Sequence, residues 1–233
     1  MNLHWQQIPS TEITLMNCSS DFDGIVFDVE HGNFNNETLY SLIQLTIARG
    51  KLALVRITTI DNSYIRRILD AGASGIIFST VESIDQLNDI EKYCLYPPAG
   101  GRRGQGLVAE NLWGKFEHKL QQVTPILIPQ IETTLGIDLL SRLDLDHYPH
   151  LHSFLIGPYD LSADLGDVGN MNSEGFLHSI DRFESYVPEN KRAIHLVNDI
   201  PNQLGKYAGY AVTAMGMDTL AILNNIKALE ELV

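Results

Sequence analysis

Eight short runs rich in β-branched and apolar residues recur along the chain, separated for most of its length by segments with helical spacing, and this alternation constrains the fold more than any other feature. The runs are ITLM near residue 13, GIVFD at 24–28, LALVRI at 52–57, GIIFS at 75–79, ILIPQI at 126–131, SFLIG at 153–157, AIHLV at 193–197 and AVTAMG at 211–216. Between them, TLYSLIQLTIA, YIRRILDAG, IDQLNDIEKYCL and LGIDLLSRL repeat apolar residues every three to four positions, the period of an amphipathic helix. Runs that are apolar on both faces predict parallel strands covered by helices. Regular alternation of the two predicts an α/β domain. Eight β units in 233 residues suit a single (β/α)8 TIM barrel over 1–233, with a doubly wound sheet as the alternative.

Two places break the rhythm. Only seven residues separate ITLM from GIVFD, too few for a crossover helix, so the first unit reads as abbreviated. The segment YPPAGGRRGQGLVAENLWG, from Tyr96 to Gly114, is too rich in Gly and Pro for an element interior and reads as a long functional loop.

Charge and composition exclude several classes of function. A net charge of −13, with basic residues no denser than pairs such as Arg102-Arg103, disfavours a nucleic-acid backbone as partner. No apolar run approaches the roughly 20 residues that span a bilayer, so no membrane partner is expected. The two cysteines, Cys18 and Cys94, form neither a metal-ligand spacing nor a disulfide framework, and no signal peptide is evident. A cytoplasmic protein is the expectation.

In a parallel barrel the active site lies at the C-terminal ends of the strands. GIVFD runs out into Asp28, Glu30 and His31; LALV ends on Arg56; ILIP ends on Gln130 and Glu132; FLIGP is followed by Asp160. Taken singly, Arg56 also reads as a surface ion-pair former, Glu132 as a first-turn helix carboxylate and Asp160 as an N-cap. All of them fall on one rim, however. Two carboxylates and a glutamine without a Cys/His set make an oxygen-rich site, which suits Mg²⁺ or Mn²⁺ better than structural zinc and leaves positions open for substrate.

The stretches DFDGIVFDVEHGNF, LVRI with the following Asp61-Asn62, ILDAGASGII, YPPAGGRRGQG, PQIET, IGPYDLSADLG and AMGMDT, in that order from about Asp21 to Ala221, resemble the HpcH/HpaI aldolases. These are metal-dependent class II pyruvate aldolases that include 2-dehydro-3-deoxyglucarate aldolase. The resemblance implies cleavage, or formation, of a 4-hydroxy-2-oxo acid to pyruvate and an aldehyde through a metal-bound pyruvate enolate. It implies Glu132 and Asp160 as ligands of a divalent cation, Mg²⁺, Mn²⁺ or Co²⁺, and Gln130 as lining the pyruvate site. Arg56 matches the arginine that stabilises the enolate, and His31 the catalytic acid/base. Asp28 and Asp70 match positions near that histidine, where either could orient its ring. Arg103 matches an arginine near the site, and the backbone of Gly157 and Pro158 matches the substrate-carboxylate region. His195 reads as structural.

Three features depart from the family. The sequence pattern shows no helix between the first strand and the DVEHG strand; Phe78-Ser79-Thr80 stands where relatives often have Val-Pro-Met; and Tyr159 replaces a small residue or Asn. Family members assemble as hexamers, trimers of dimers, and the tail DTLAILNNIKALEEL is compatible with docking between subunits or with covering its own barrel. The alternatives to an aldolase are a CoA-thioester lyase of the citrate-lyase β type and a non-catalytic paralogue that binds a keto acid.

Overall fold

A computed structural model of the chain describes residues 1–116 and 124–232. Eight strands close into one barrel in sequence order: β1 (Asn2–Gln6), β2 (Gly24–Asp28), β3 (Leu52–Ile57), β4 (Gly75–Phe78), β5 (Ile126–Ile131), β6 (Phe154–Ile156), β7 (Arg192–Leu196) and β8 (Val212–Met215). Every neighbouring pair is parallel, and β1 closes the ring on β8 with Leu3 opposite Ala214. Closure rules out the doubly wound alternative. The described helices are α1 (Thr11–Cys18), α2 (Asn36–Ala48), α3 (Asn62–Asp70), α4 (Ile84–Cys94), α5 (Thr134–Leu140), α6 (Pro158–Asp164), α7 (Glu174–Tyr186), α8 (Ile200–Lys206) and α9 (Asp218–Glu230). Among the described residues no helix is long and apolar enough to cross a membrane.

The first unit corrects the expectation of an abbreviated barrel. ITLM lies inside α1, and the first strand is NLHWQ, upstream of it. Ser10 sets the helix start, its side chain accepting from the backbone N–H groups of Glu12 and Ile13 at 3.2 and 3.3 Å. Local capping thus overrides the β preference of Ile13 and Thr14. The interval before β2 is short because it follows this helix and not a strand.

Side chains alternate along each strand, so residues two apart share a face. One set, Leu3, Trp5, Val26, Leu54, Ile77, Ile128, Leu155, Ala193, Val212 and Ala214, fills the barrel interior. The intervening set, including Ile25, Phe27, Val55, Ile57, Ile76 and Phe78, packs outward against the helices. Following the inward parity toward the C-terminal rim gives Trp5 and Gln7, Asp28 and Glu30, Arg56, Gln130 and Glu132, Gly157, and His195. The hydrophobic pattern that builds the barrel therefore also delivers the polar residues to one opening.

Candidate active site

Asp28 is the hub of one half of the rim. It is fully buried at the end of β2, directly opposite Arg56 in register. Its carboxylate accepts from Arg56 Nε at 2.9 Å and Nη2 at 2.7 Å, a bidentate fork, and from Trp5 Nε1 at 3.1 Å and Gln7 Nε2 at 3.0 Å. Burial opposes its charge, yet the Arg56 guanidinium together with Gln7 and Trp5 outweighs it and holds the carboxyl at about 2. Arg56 is further fixed by Glu30, 2.9 Å from Nη1, and by the Trp5 ring, whose centroid lies 4.9 Å from its guanidinium carbon. The guanidinium is locked in orientation while N–H donors on Nη1 and Nη2 remain for a substrate oxygen.

His31 stands beside this anchor. The backbone N–H groups of Glu30 and His31 donate to Asp28 Oδ1 at 3.2 and 3.3 Å, which shapes the loop after β2. The imidazole itself is exposed and has no hydrogen-bond or ion-pair partner among the described residues. Asp28 therefore holds Arg56 and the loop backbone, and does not orient the His31 ring as expected.

Glu132 is the hub of the other half. It follows β5 and precedes Thr133, the N-cap of α5, so it is no first-turn helix carboxylate; it turns inward and is 4% exposed. Oε1 accepts from the backbone N–H and Oγ1 of Thr80 at 2.7 and 2.6 Å, and Oε2 accepts from Gln130 Nε2. Burial, opposed by the Thr80 bonds and reinforced by the charges of Asp160 and Glu30, pushes its carboxyl up to about 7. Gly157 makes this packing possible. A Cβ there would lie 2.6 Å from Gln130 Nε2 and 2.8 Å from Glu132 Oε2. Asp160 sits exposed in the first turn of α6, whose N-cap is Gly157, so Asp160 does not cap the helix. Its carboxylate has no side-chain partner among the described residues.

Asp70 and Arg103 do not join this rim within the chain. Asp70 ends α3, which runs back to the N-terminal side of the barrel, and accepts from Arg103 Nη2 at 2.8 Å. Arg103 also pairs with Glu110 at 2.5 Å and lies over the Tyr96 ring, 4.6 Å from its centroid. The Tyr96–Gly114 segment connects α4 to β5, which is the stability face of such barrels. Arg103 ties that loop to α3, and Asp70 receives it instead of orienting His31.

Whether the residues suit a divalent cation is decided by their chemistry. Among the described residues no three His, Cys, Asp or Glu side chains converge as a metal site. Glu132 and Asp160 nevertheless lie close enough for one charge to raise the other's proton affinity, and Gln130 Oε1 is a buried acceptor without a partner. Two carboxylates and a spare carbonyl fit a hard cation that keeps several waters.

Residues 8–224 match the family model described as HpcH/HpaI aldolase/citrate lyase. The chain belongs to the HpcH/HpaI aldolase/citrate lyase family. A 4-hydroxy-2-oxo-heptane-1,7-dioate aldolase of Salmonella arizonae is 26% identical over 231 residues, 97% of this chain and 87% of that protein. Among solved structures, an HpcH/HpaI aldolase/citrate lyase family protein from Burkholderia cenocepacia superposes with a TM-score of 0.88 at 22% identity, over 100% of this chain and 94% of that one. The citrate synthase SbnG gives 0.84 at 23% identity, over 99% and 91%. These last two likenesses concern the fold. As an HpcH/HpaI family member with aldolase relatives, the protein is a carbon–carbon lyase.

Four rim residues escape a reading of the family's motifs. Trp5 and Gln7 sit on and just after β1, which is not among the eight apolar runs of the sequence, so the sequence pattern assigns them no inward parity. His195 stacks on Trp5, ring centroids 4.1 Å apart and planes 14° apart, with Nε2 3.1 Å from the Gly216 carbonyl. Thr80 registers in the sequence only as a departure from the family pattern.

Proposed function

We propose that this family member cleaves a 4-hydroxy-2-oxo acid to pyruvate and an aldehyde, or runs the same reaction toward condensation, with a divalent cation held by Glu132 and Asp160. The observation that carries the reading is the pairing, across one rim, of a guanidinium fixed by three side chains with a buried carboxylate whose charge is uncompensated. When bound, the cation supplies Lewis-acid polarisation of the substrate's keto oxygen. Gln130 and the backbone at Gly157 and Pro158 line the place for the oxo-acid end. His31, unengaged and exposed, takes the proton of the C4 hydroxyl. The C3–C4 bond then breaks, the aldehyde leaves, and its electron pair becomes the enolate of pyruvate, whose oxygen faces the free N–H donors of Arg56. Protonation at C3 completes pyruvate.

Glu30, Asp28 and Trp5 keep Arg56 in place throughout, so the donor needs no reorganisation as charge develops. The reading extends to a homo-oligomer, a trimer of dimers, supported by the uncovered apolar residues of α9, and to a cytoplasmic setting, supported by two unpaired cysteines.

The test is pyruvate release, coupled to lactate dehydrogenase, from a panel of 4-hydroxy-2-oxo acids and oxaloacetate, with Mg²⁺ or Mn²⁺ and then with EDTA. Release that chelation abolishes and Arg56→Ala lowers by about 100-fold or more supports the reading. Turnover that survives complete chelation, release by Glu132→Ala at the wild-type rate, or no release by folded, metal-supplied protein overturns it. Cleavage of a CoA thioester in place of the panel acids would assign the lyase chemistry instead.

A further inference from the structure

The turn between β4 and α4 contains an arrangement that the reaction steps above do not use. Thr80 has φ +53°, in the left-handed region where a β-branched residue is a genuine outlier. Ile77 points into the barrel, so Thr80 by strand parity would face the helices. The left-handed twist reverses that direction and aims two donors, its N–H and its hydroxyl, at the single oxygen Oε1 of Glu132.

The turn is held in that conformation from both sides. Gln86 Nε2 donates to the Thr80 carbonyl at 3.1 Å, while Gln86 Oε1 accepts from the backbone N–H groups of Glu82 and Ser83 at 2.9 and 3.0 Å. Val81 N–H donates to the Gln130 carbonyl at 3.0 Å, joining the turn to β5 itself. A non-glycine residue persists in this region only where its surroundings over-determine it, and such positions cluster at functional sites.

We infer that Thr80 is a positioning residue: its two donors saturate Oε1 of Glu132 and so leave Oε2, which accepts a single bond from Gln130, as the oxygen open to a divalent cation. The inference rests on the reading of Glu132 as a cation ligand. The backbone N–H survives any substitution, so the hydroxyl is the part specific to this residue. Groups that orient a ligand in this way are worth about 10- to 100-fold in metal affinity.

Mn²⁺ binding to the full-length protein, followed by the electron paramagnetic resonance of free Mn²⁺, tests it. Thr80→Ala is expected to weaken Mn²⁺ binding by about 10- to 100-fold, and Thr80→Ser, which keeps the hydroxyl, to retain the wild-type affinity. Neither variant should melt below the wild type, because both remove a β-branched residue from the left-handed region. A purely structural role would move stability and affinity together. If Thr80→Ala fails to fold, Thr80→Gly, which suits a positive φ, takes its place in the same comparison. Glu132→Gln separates the two levels. Loss of Mn²⁺ binding in Glu132→Gln with unchanged affinity in Thr80→Ala overturns the role of Thr80 alone. Wild-type Mn²⁺ affinity in Glu132→Gln overturns the ligand reading and this inference with it.

Discussion

Two rim side chains titrate against each other. Glu132, raised to about 7, binds more protons folded than unfolded between about 4.5 and 7, so it makes the metal-free protein less stable as pH rises through that window. His195 does the reverse. Burial, with the Arg56 charge added, lowers its imidazolium to about 4, so the unfolded chain binds more protons between about 4 and 6.5 and stability rises with pH there. The windows overlap, and the wild-type melting temperature in EDTA should stay nearly flat from pH 4.5 to 6.5. Glu132→Gln removes the falling contribution and should show a melting temperature that climbs to pH 6.5, with a gain on the order of 3 kcal/mol at pH 7.5. His195→Gln should show the opposite slope. Circular-dichroism melts in half-unit pH steps check both, and variants that track the wild type would refute the assignment. Glu132 was legible as a rim carboxylate because PQIET places it one inward step beyond a strand. Its raised proton affinity was not legible, since that depends first on burial within the closed rim and then on the charges of Asp160 and Glu30 arriving from other units.

At the scale of elements, strands buried on both faces announced themselves and the exceptions were those with polar faces. GIVFD, LALVRI and ILIPQI match β2, β3 and β5 residue for residue. NLHWQ went unseen because it carries Asn, His and Gln: Gln6 is buried by bonding Thr14 Oγ1 at 2.9 Å, not by being apolar. The Tyr96–Gly114 loop was visible as irregular, while its location was not, because it is set by an ion pair between residues 33 apart in sequence. Arg103 is 1% exposed and pairs with two half-buried carboxylates, Asp70 and Glu110, which lose their shared cation when it is removed. Arg103→Ala should cost about 1.5–3 kcal/mol in urea unfolding and expose Arg102 and Lys115 to faster tryptic cleavage. Unchanged stability would mean that the loop is held by something other than this cluster.

The whole molecule is a closed barrel that leaves the apolar stripe of α9 uncovered. Eight alternating units made the barrel legible, since each unit buries its own faces; assembly leaves no comparable mark in a single chain. Ile222, Ile226 and Leu229 fall four and three residues apart along α9, one stripe, and Ile226 and Leu229 are 48% and 56% exposed. A helix of 13 residues is marginal in water on its own, so an apolar stripe of this kind calls for a covering surface. Its first turn is already fixed: Asp218 accepts from the backbone N–H groups of Gln7 and Ile8, both at 2.9 Å. In the oligomer proposed above the stripe meets a neighbouring subunit, and wild-type protein should sediment well above the mass of one chain. Ile226→Lys combined with Leu229→Lys should return it to that mass. The same variant should lower turnover, because α9 reaches the site through two bonds: Thr219 Oγ1 donates to Gln7 Oε1 at 2.9 Å, and Gln7 Nε2 donates to the Asp28 carboxylate that aims Arg56. Loosening α9 therefore loosens the guanidinium. Sedimentation velocity and pyruvate release measured on the same samples decide it. Wild-type protein sedimenting as a single chain with α9 protected from hydrogen exchange would show that the helix needs no partner, and a monomeric variant with full turnover would break the link from assembly to Arg56.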